Sequence, residues 1–486
     1  MKFIDWLGRL FRALLRVKGI FKTHRDKVLE NLQHRRTSSA QGGEQNTIRT
    51  FSIATRQTVS LGKSWASTTV NATIFRHHGI LTIGNTQYTA FYASESCIKI
   101  IKRRAGHEIE SFELPGIYNL SDAHNSISLG YDRLLRLHIT YDHHGTRLKY
   151  RRATHPESID EWTSERVMTG RYEEQVTYPT FINSREGHPL TILYRDGTWN
   201  KGCARIKTYD EDADLWADRD GPVLSGKDER PWTCNAYWNH PAVGLNGTLH
   251  LSYVWRTDSI GHEQRINNIN VCYARSHDNG LTWETSLGQP YNLPITPVNT
   301  ETIYAVSPGN NLMNQCSMAV DSKGAPHIVF YANDAAGVPQ YFHLWQKGRA
   351  WEAVQIGHRD TAFNLEGAGT LRLPISRPEL VIDAGDNAYI IYRGDLTKNK
   401  MVVQCTASPN YQSFRENELE VWDVDLAQAE PIIDRINWSK NGVLTLYLQY
   451  AEQHHGDTKT APKYSDALLV DLTFTYSDSI NLSNLK

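Results

Sequence analysis

The sequence has no long uninterrupted apolar segment, no excess of one charge sign and no paired cysteine motif. Without a run of about 18 apolar residues, no transmembrane helix is expected. Lys and Arg number 52 and Asp and Glu 53, and this balance excludes a protein that coats nucleic acid through a general basic surface. No nucleic-acid partner is therefore expected. An anionic ligand would have to be bound at a local basic site.

The six cysteines do not have the pattern of a disulfide framework. They are scattered over 486 residues without a C-x-x-C pair, whereas disulfide scaffolds are dense in short secreted chains. Buried free thiols are the simplest interpretation. A structural Zn²⁺ or Ca²⁺ site is the alternative, with His240 and His327 as candidate ligands beside a cysteine, although no full ligand set stands out. Catalysis is expected to need no cofactor.

The N-terminus lacks the uninterrupted apolar core of a secretion signal. In residues 1–20 apolar side chains recur at helical spacing, but Arg9, Arg12 and Arg16 interrupt them. We interpret residues 1–20 as a basic amphipathic helix, compatible with peripheral contact with an anionic membrane or with docking on the protein itself. Residues 1–46 are thus predicted to be this helix and a polar linker, and residues 47–486 the folded domain.

What the sequence does contain is a recurring apolar strand that ends in an aromatic residue. Its ends lie 49 to 76 residues apart. Continuous apolar character predicts strands that are buried on both faces, and repeats of this length with several strands each are typical of propeller blades. The seven copies are Tyr88–Tyr92, Leu135–Tyr141, Leu190–Tyr194, Leu249–Trp255, Pro326–Tyr331, Ala388–Tyr392 and Leu444–Tyr450.

A second periodic mark supports blades. Ser276–Trp283 fits the Asp-box pattern S-x-D-x-G-x-T-W, in which Asp and Gly form a tight turn and Trp packs back on a neighbouring strand. We predict an all-β fold, a seven-bladed β-propeller with a short N-terminal amphipathic helical extension. Six or eight blades are the alternatives. Strands near Ile48–Thr55 and Ala467–Tyr476 are expected to share one blade and close the ring.

Candidate functional residues concentrate in the first half of the domain, close to the ends of the buried strands. Loops at one end of successive blades converge, so these side chains are expected to meet. His, Tyr and Arg without an obvious carboxylate pair favour proton transfer beside an anion over glycoside hydrolysis, which normally uses two carboxylates. The candidates are His124, Asn125, His143, His144, Tyr178, Arg195, Tyr237 and Arg256.

The chemistry that these residue types fit is β-elimination from a uronate. Arg, His or Asn would neutralise the carboxylate and stabilise the enolate-like anion. A His or Tyr would take the C5 proton, and a Tyr or His would protonate the departing O4. Tyr would act as a base only if a cation such as Arg195 lowered its pKa.

Several motifs resemble the BNR-repeat polysaccharide lyases, seven-bladed propellers that include the ulvan lyases. They are H-N-S-I, D-H-H-G, V-T-Y-P-x-F and L-Y-R-x-G, and the likeness spans roughly residues 110–400. The resemblance implies a carbon–oxygen lyase that cleaves a uronic-acid-containing polysaccharide, either ulvan-like or a bacterial capsular polymer or exopolysaccharide. It also implies a secreted or periplasmic protein, although no clear signal peptide is seen. We expect the protein to be a monomer whose partner is an anionic polysaccharide.

The resemblance also implies roles for individual residues. His124 and His144 would be catalytic, Tyr178 would be the acid and also a candidate base, and Arg195 would neutralise the carboxylate. The remaining candidates would bind substrate, namely Asn125, His143, Tyr237 and Arg256.

Two other functions remain open from the sequence. A carbohydrate-binding propeller without catalysis would use the same residues to line a pocket. A sialidase would need three arginines, a Tyr/Glu pair and an early Arg-Ile-Pro-like motif. The one near match to that motif, Arg372-Leu373-Pro374, comes late in the chain.

Overall fold

The computed structural model describes residues 47–185, 187–226, 235–244, 246–257, 261 and 265–480. They form seven antiparallel sheets, one for each blade of a β-propeller, which confirms the predicted fold class and blade number. The predicted helix and linker of residues 1–46 lie outside the described residues. In the described part of the chain, no helix has the length and apolar character needed to cross a membrane.

The strands follow the blades in chain order with two exceptions: β1 belongs to the last blade, and β8 belongs to blade 3 although it precedes β9 of blade 2. Blade 1 consists of β2 (Ile80–Ile83), β3 (Thr86–Ser94), β4 (Cys97–Arg104) and β5 (Glu110–Pro115). Blade 2 consists of β6 (Ser128–Tyr131), β7 (Leu137–Thr140) and β9 (Tyr150–Arg152). Blade 3 consists of β8 (His144–Thr146), β10 (Val176–Ile182), β11 (Thr191–Asp196), β12 (Cys203–Asp210), β13 (Leu215–Asp218) and β14 (Leu224–Ser225).

The later blades continue this order. Blade 4 consists of β15 (Asn235–Trp238), β16 (Ala242–Val243), β17 (Leu249–Arg256), β18 (Asn268–Ser276) and β19 (Glu301–Tyr304). Blade 5 consists of β20 (Ser317–Val320), β21 (Pro326–Asn333), β22 (Pro339–Lys347) and β23 (Ala350–Gln355). Blade 6 consists of β24 (Glu379–Ile382), β25 (Ala388–Tyr392), β26 (Met401–Thr406) and β27 (Glu418–Trp422). Blade 7 consists of β28 (Ile432–Ile433), β29 (Leu444–Leu448), β30 (Tyr464–Ile480) and β1 (Thr47–Trp65).

The apolar repeat forms the second of the main strands in every blade: β3, β7, β11, β17, β21, β25 and β29. The first strands of neighbouring blades contact one another, as β6 does with β10 and β20 with β24, so they form the innermost ring. The repeat strands therefore lie one position further out than the innermost strands and are buried on both faces, as the sequence predicts. They are apolar because strands cover both of their edges and neighbouring blades cover both of their faces.

Blade 7 closes the ring by joining the two ends of the domain. Strand β30 lies between β1 and β29, and the hydroxyls of Ser52 and Thr475 are 3.0 Å apart. The predicted sharing of one blade is thus confirmed. The chain divides into two compact units, Phe51–Tyr476 and the chain ends outside it, and within the smaller unit Arg49 pairs with Asp478 at 2.7 Å.

The Asp-box forms the turn that its residues predict. Asp278 accepts hydrogen bonds from the Thr282 amide at 2.8 Å and from its hydroxyl at 2.5 Å. Gly280 has a φ of 89°, in the left-handed region that glycine tolerates. Trp283 is buried and donates its indole N–H to the Gly280 carbonyl at 3.0 Å.

One α-helix, α1 (Arg435–Asn441), and a 3₁₀ turn (Arg415–Asn417) accompany the strands in the described part of the chain. Asp434 begins α1 as a cap that accepts hydrogen bonds from the amides of Ile436 and Asn437, and Gly442 ends it with a φ of 65°.

Candidate active site

A cavity of about 710 Å³ collects side chains from the beginnings of the first strands of blades, from the ends of the second strands and from the loops beside them. Such positions recur at one end of successive blades, which is why residues far apart in sequence meet here. Six of the eight sequence-predicted residues line this cavity: His124, His144, Tyr178, Arg195, Tyr237 and Arg256.

The other two predicted residues, Asn125 and His143, do not line the cavity. His143 is fully buried and accepts a hydrogen bond from the Lys149 amide on Nε2 at 3.1 Å. Burial lowers its pKa to about 3, so its ring is neutral. Asn125 is also buried and donates to the Asn119 carbonyl at 2.8 Å. Both side chains support loop structure, which corrects the expectation that they face the substrate.

Two imidazoles share one carboxylate at the centre of the site. Asp122 accepts from His124 Nδ1 at 2.6 Å with one oxygen and from His144 Nδ1 at 2.5 Å with the other. The two rings stack with centroids 4.1 Å apart. Sequence analysis missed Asp122, because an aspartate two residues before a histidine is common in loops.

These contacts determine the protonation of the group. Burial alone would raise the pKa of Asp122, but the hydrogen bonds to His124 and His144 outweigh it and hold the pKa well below its usual value. Burial, together with the neighbouring His144, lowers the pKa of His124. An ionised Asp122 requires Nδ1–H on each bonded imidazole. A neutral ring therefore has its lone pair on Nε2.

His144 reaches the cavity because the chain changes blades after β7. The short strand β8 pairs with β10 of blade 3, with His144 opposite Thr177. The Thr177 hydroxyl accepts from the Gly145 amide at 2.8 Å and from Arg195 Nη2 at 3.0 Å. One buried hydroxyl thus holds both the His144 segment and the Arg195 side chain.

Tyr178 lies in an irregular part of the innermost strand β10. The register of β10 shifts between Thr177 and Thr180, and Tyr178 has a φ of 55°, an uncommon and strained value for a side chain of this size. Its ring makes an edge contact with Phe75 at 5.3 Å and lies 5.9 Å from His124.

Cations lie against the faces of the two site tyrosines. The Arg195 guanidinium lies 5.1 Å from the centre of the Tyr178 ring, and the Arg256 guanidinium lies 4.5 Å from that of Tyr237. Nevertheless burial and Tyr237 together raise the pKa of Tyr178 above its ordinary value, against the opposing effect of Arg195. The sequence-based expectation that Arg195 would lower this pKa enough for a base is therefore not met.

A buried ion pair that sequence analysis did not single out closes another side of the cavity. Arg377 donates to Glu430 through Nε and Nη2, and its guanidinium lies 4.8 Å from the centre of the Phe75 ring. The signal that the sequence offers for Arg377 is its position relative to a strand. Arg377 precedes the first strand of blade 6, much as Asp122 and His124 precede that of blade 2.

The site also contains groups of the kind that bind metals. Ligand atoms of Asp122, His124, His144 and Asp457 all lie within 4.8 Å of one another, and no cysteine takes part. The residues suggested by sequence have other partners. The ring of His240 packs on those of His77 and His78, and His327 Nδ1 lies 2.9 Å from His343 Nε2. A structural metal site thus stays a prediction, and Zn²⁺ is the ion that this His and Asp set would suit best.

Comparison with known proteins identifies the family of this chain and structures that share its fold. The model of the BNR repeat-containing family matches residues 86–359, more than half of the chain. The chain belongs to this family. No curated protein matches it significantly.

Two solved structures show the same fold. The polysaccharide lyase Uly1 is 15% identical, with a TM-score of 0.64 over 87% of this chain and 99% of that one. A PL25 ulvan lyase bound to -[GlcA(1-4)Rha3S]- is 14% identical, with a TM-score of 0.59 over 83% of this chain and 98% of that one. The chain therefore shares the propeller fold of these two lyases.

Proposed function

We propose that this protein is a lyase that cleaves a uronic-acid-containing polysaccharide by β-elimination. The observation that supports the proposal most directly is the environment of Arg195. This residue is 2% exposed and lines the cavity. Among the described residues its guanidinium has only the neutral Thr177 hydroxyl as a hydrogen-bond partner, and Nε has none. A buried cation held in this way is a site for an anionic group of a ligand, such as a uronate carboxylate.

The other four lining arginines have protein partners. Arg256 donates to the side chains of Asn268 and Asn314, and Arg265 donates to the Gly309 carbonyl. Arg377 is bonded to Glu430, and Arg393 donates to the backbone carbonyls of Leu373, Gln428 and Ala429. The three free arginines that a sialidase would direct at a carboxylate are therefore not available as a set. This distribution favours a single carboxylate contact centred on Arg195.

In the reaction that we propose, His124 is the base. Its Nε2 lone pair takes the C5 proton, and the C–H electrons form the C4=C5 double bond as the C4–O bond breaks. The ionised Asp122 stabilises the imidazolium that forms, as a buried carboxylate does in other His-based sites. Arg195 stabilises the charge that develops on the carboxylate of the substrate.

Tyr178 supplies the proton to the departing O4. Its phenol makes no hydrogen bond to the described residues, and its raised pKa keeps it protonated at neutral pH. A protonated phenol suits the acid and excludes Tyr178 as the resting base. Solvent then returns a proton to Tyr178 and removes one from His124. No step requires a metal.

The two solved polysaccharide lyases that share the fold support the substrate class. The PL25 ulvan lyase is bound to -[GlcA(1-4)Rha3S]- in its structure, and this saccharide contains a uronate. We extend this to the present protein as a uronate polymer, either ulvan-like or bacterial capsular or exopolysaccharide. The alternative, a propeller that binds such a chain without cleaving it, is an outcome of the test below.

The test is product formation on ulvan, glucuronan, heparan-type and capsular polymers, followed as ultraviolet absorbance of the unsaturated sugar. Tyr178→Phe should reduce turnover by about 10²–10⁴-fold, because it removes the acid and keeps the ring. His124→Ala should do the same, and Arg195→Ala should impair both binding and turnover.

Tyr331→Phe is the matched control. Tyr331 is buried outside the cavity, and its hydroxyl has no hydrogen-bond partner among the described residues. It should retain wild-type turnover, and all variants should keep the wild-type circular dichroism spectrum. A Tyr178→Phe protein with a near-wild-type rate would refute the role of Tyr178. Substrate binding without any unsaturated product would replace the lyase by a binding module.

A further inference from the structure

The feature that the proposed reaction leaves unexplained is an exposed tryptophan at the cavity. Trp199 is 54% exposed and lines the cavity. Among the described residues, it is the one exposed tryptophan, since the others are buried or half-buried. Exposure of a large indole is unfavourable in water, because most of its surface is apolar. Its place at the mouth of a polar cavity calls for a partner that covers it.

The loop that carries Trp199 is held in place from several sides. It joins β11 to β12 immediately after Arg195 and Asp196. Gly197 has a φ of 105°, and a Cβ there would lie 2.5 Å from the Lys201 carbonyl, so only glycine fits the turn.

A second blade anchors the same loop. Asn235 of blade 4 is buried and donates to the Trp199 carbonyl at 3.1 Å. Gly202 follows the loop, and a Cβ there would lie 2.9 Å from the Arg195 side chain. The indole is therefore presented by a fixed turn that packs directly against the proposed carboxylate-binding residue.

We propose that Trp199 is a stacking subsite for a pyranose ring of the polysaccharide, next to the uronate that Arg195 binds. This inference rests on the proposed function. The C–H face of a sugar ring is the apolar surface of an otherwise polar ligand, and an indole offers a flat partner for it. The subsite would favour chains over the shortest substrates and would act on binding more than on the chemical step.

The experiment separates the subsite from catalysis. With the polymer that gives product, Trp199→Ala should raise KM about tenfold and change kcat less than about twofold, whereas Trp199→Phe should keep most of the affinity. Leu281→Ala is the control, since Leu281 is 60% exposed and does not line the cavity. Its kinetics should equal those of the wild type. An unchanged KM in Trp199→Ala overturns the subsite.

Binding in the absence of turnover keeps the two proposals distinguishable. Oligosaccharides of increasing length, prepared from ulvan and from glucuronan, are titrated calorimetrically into the Tyr178→Phe protein. The double variant Tyr178→Phe/Trp199→Ala should bind the longer oligosaccharides about tenfold more weakly than Tyr178→Phe alone. Its binding of the disaccharide should be weakened much less. Equal weakening at all lengths, or none, overturns the stacking subsite. Absence of product with the wild-type protein would instead overturn the proposed lyase function. The binding comparison would still test the stacking subsite, because it needs no turnover.

Discussion

The pKa values of His124 and Tyr178 are shifted in opposite directions, and these shifts determine the pH profile of the proposed reaction. Burial lowers the pKa of His124 below its ordinary 6.5, and burial raises that of Tyr178 above 10.0. The base must be unprotonated and the acid protonated. kcat/KM should therefore fall as the pH drops through a value below 6.5, and it should show no basic limb below pH 10.0. A decrease of kcat/KM with rising pH near neutrality would contradict the acid role of Tyr178.

Asp122 is a positioning residue whose effect can be separated from a structural one. Its hydrogen bond and charge raise the pKa of His124 against burial. Asp122→Asn should therefore reduce turnover by about 10²–10⁴-fold and move the acid limb to lower pH.

A second buried Asp–His pair provides the control for that variant. Asp132 lies 3.3 Å from His138 Nε2, away from the cavity. Asp132→Asn should reduce stability and leave the pH profile unchanged. An Asp122→Asn enzyme with lower activity and an unmoved acid limb would reduce Asp122 to a packing role.

At the scale of single elements, the strands were predictable from sequence and the site was predictable in part. Repeat strands are continuous apolar runs, so their burial is visible in the residues themselves. The position of His144 was not predictable from sequence, because β8 leaves blade 2 and pairs with β10. His143 and His144 are adjacent in sequence, and only this pairing decides which ring enters the cavity.

The missed residues have a different physical cause. Arg377 and Asp457 line the cavity and Asp122 holds its two histidines, and ring closure brings these three residues together from different blades. Their local sequences resemble ordinary polar loops. Pairings between distant blades determine their partners, and a local pattern contains no information about such pairings.

The Asp-box turn yields a stability prediction at this scale. Asp278→Ala removes hydrogen bonds to Thr282 and Ser276 and should lower the free energy of unfolding by about 1–3 kcal/mol. Burial alone would raise the pKa of Asp278, but these hydrogen bonds hold it below the ordinary value.

The sign of the pH dependence follows from that shift. The stabilisation is fully present above about pH 3.9 and is lost as the pH falls through the lower folded-state pKa. Urea unfolding of wild type and variant should therefore give curves that approach each other in acid. Asp423→Ala, at an exposed aspartate, is expected to have no effect. A variant as stable as the wild type at neutral pH would show that the turn does not depend on Asp278.

At the scale of the whole molecule, the circle is closed by noncovalent pairing of β1 with β30. The first and last strands of the propeller pair across a very long sequence separation, which is 423 residues for Ser52 and Thr475. Opening this blade would release both ends of the domain and leave the cavity, which draws on many blades, without a fixed geometry. The stability of the site therefore depends on this blade, which also contributes Glu430 and Asp457 to the cavity.

A disulfide across the closing strands tests this dependence. Ser52→Cys with Thr475→Cys should form a bond, because the two hydroxyls are 3.0 Å apart. It should stabilise the protein by on the order of 2–4 kcal/mol, since the bond closes a very long loop in the unfolded chain. Lys102→Cys with Glu110→Cys joins paired positions of β4 and β5 only eight residues apart and should stabilise much less. Thermal unfolding with and without reductant measures both. A gain that is no larger at the closing blade than within blade 1 would mean that opening of the ring does not limit stability.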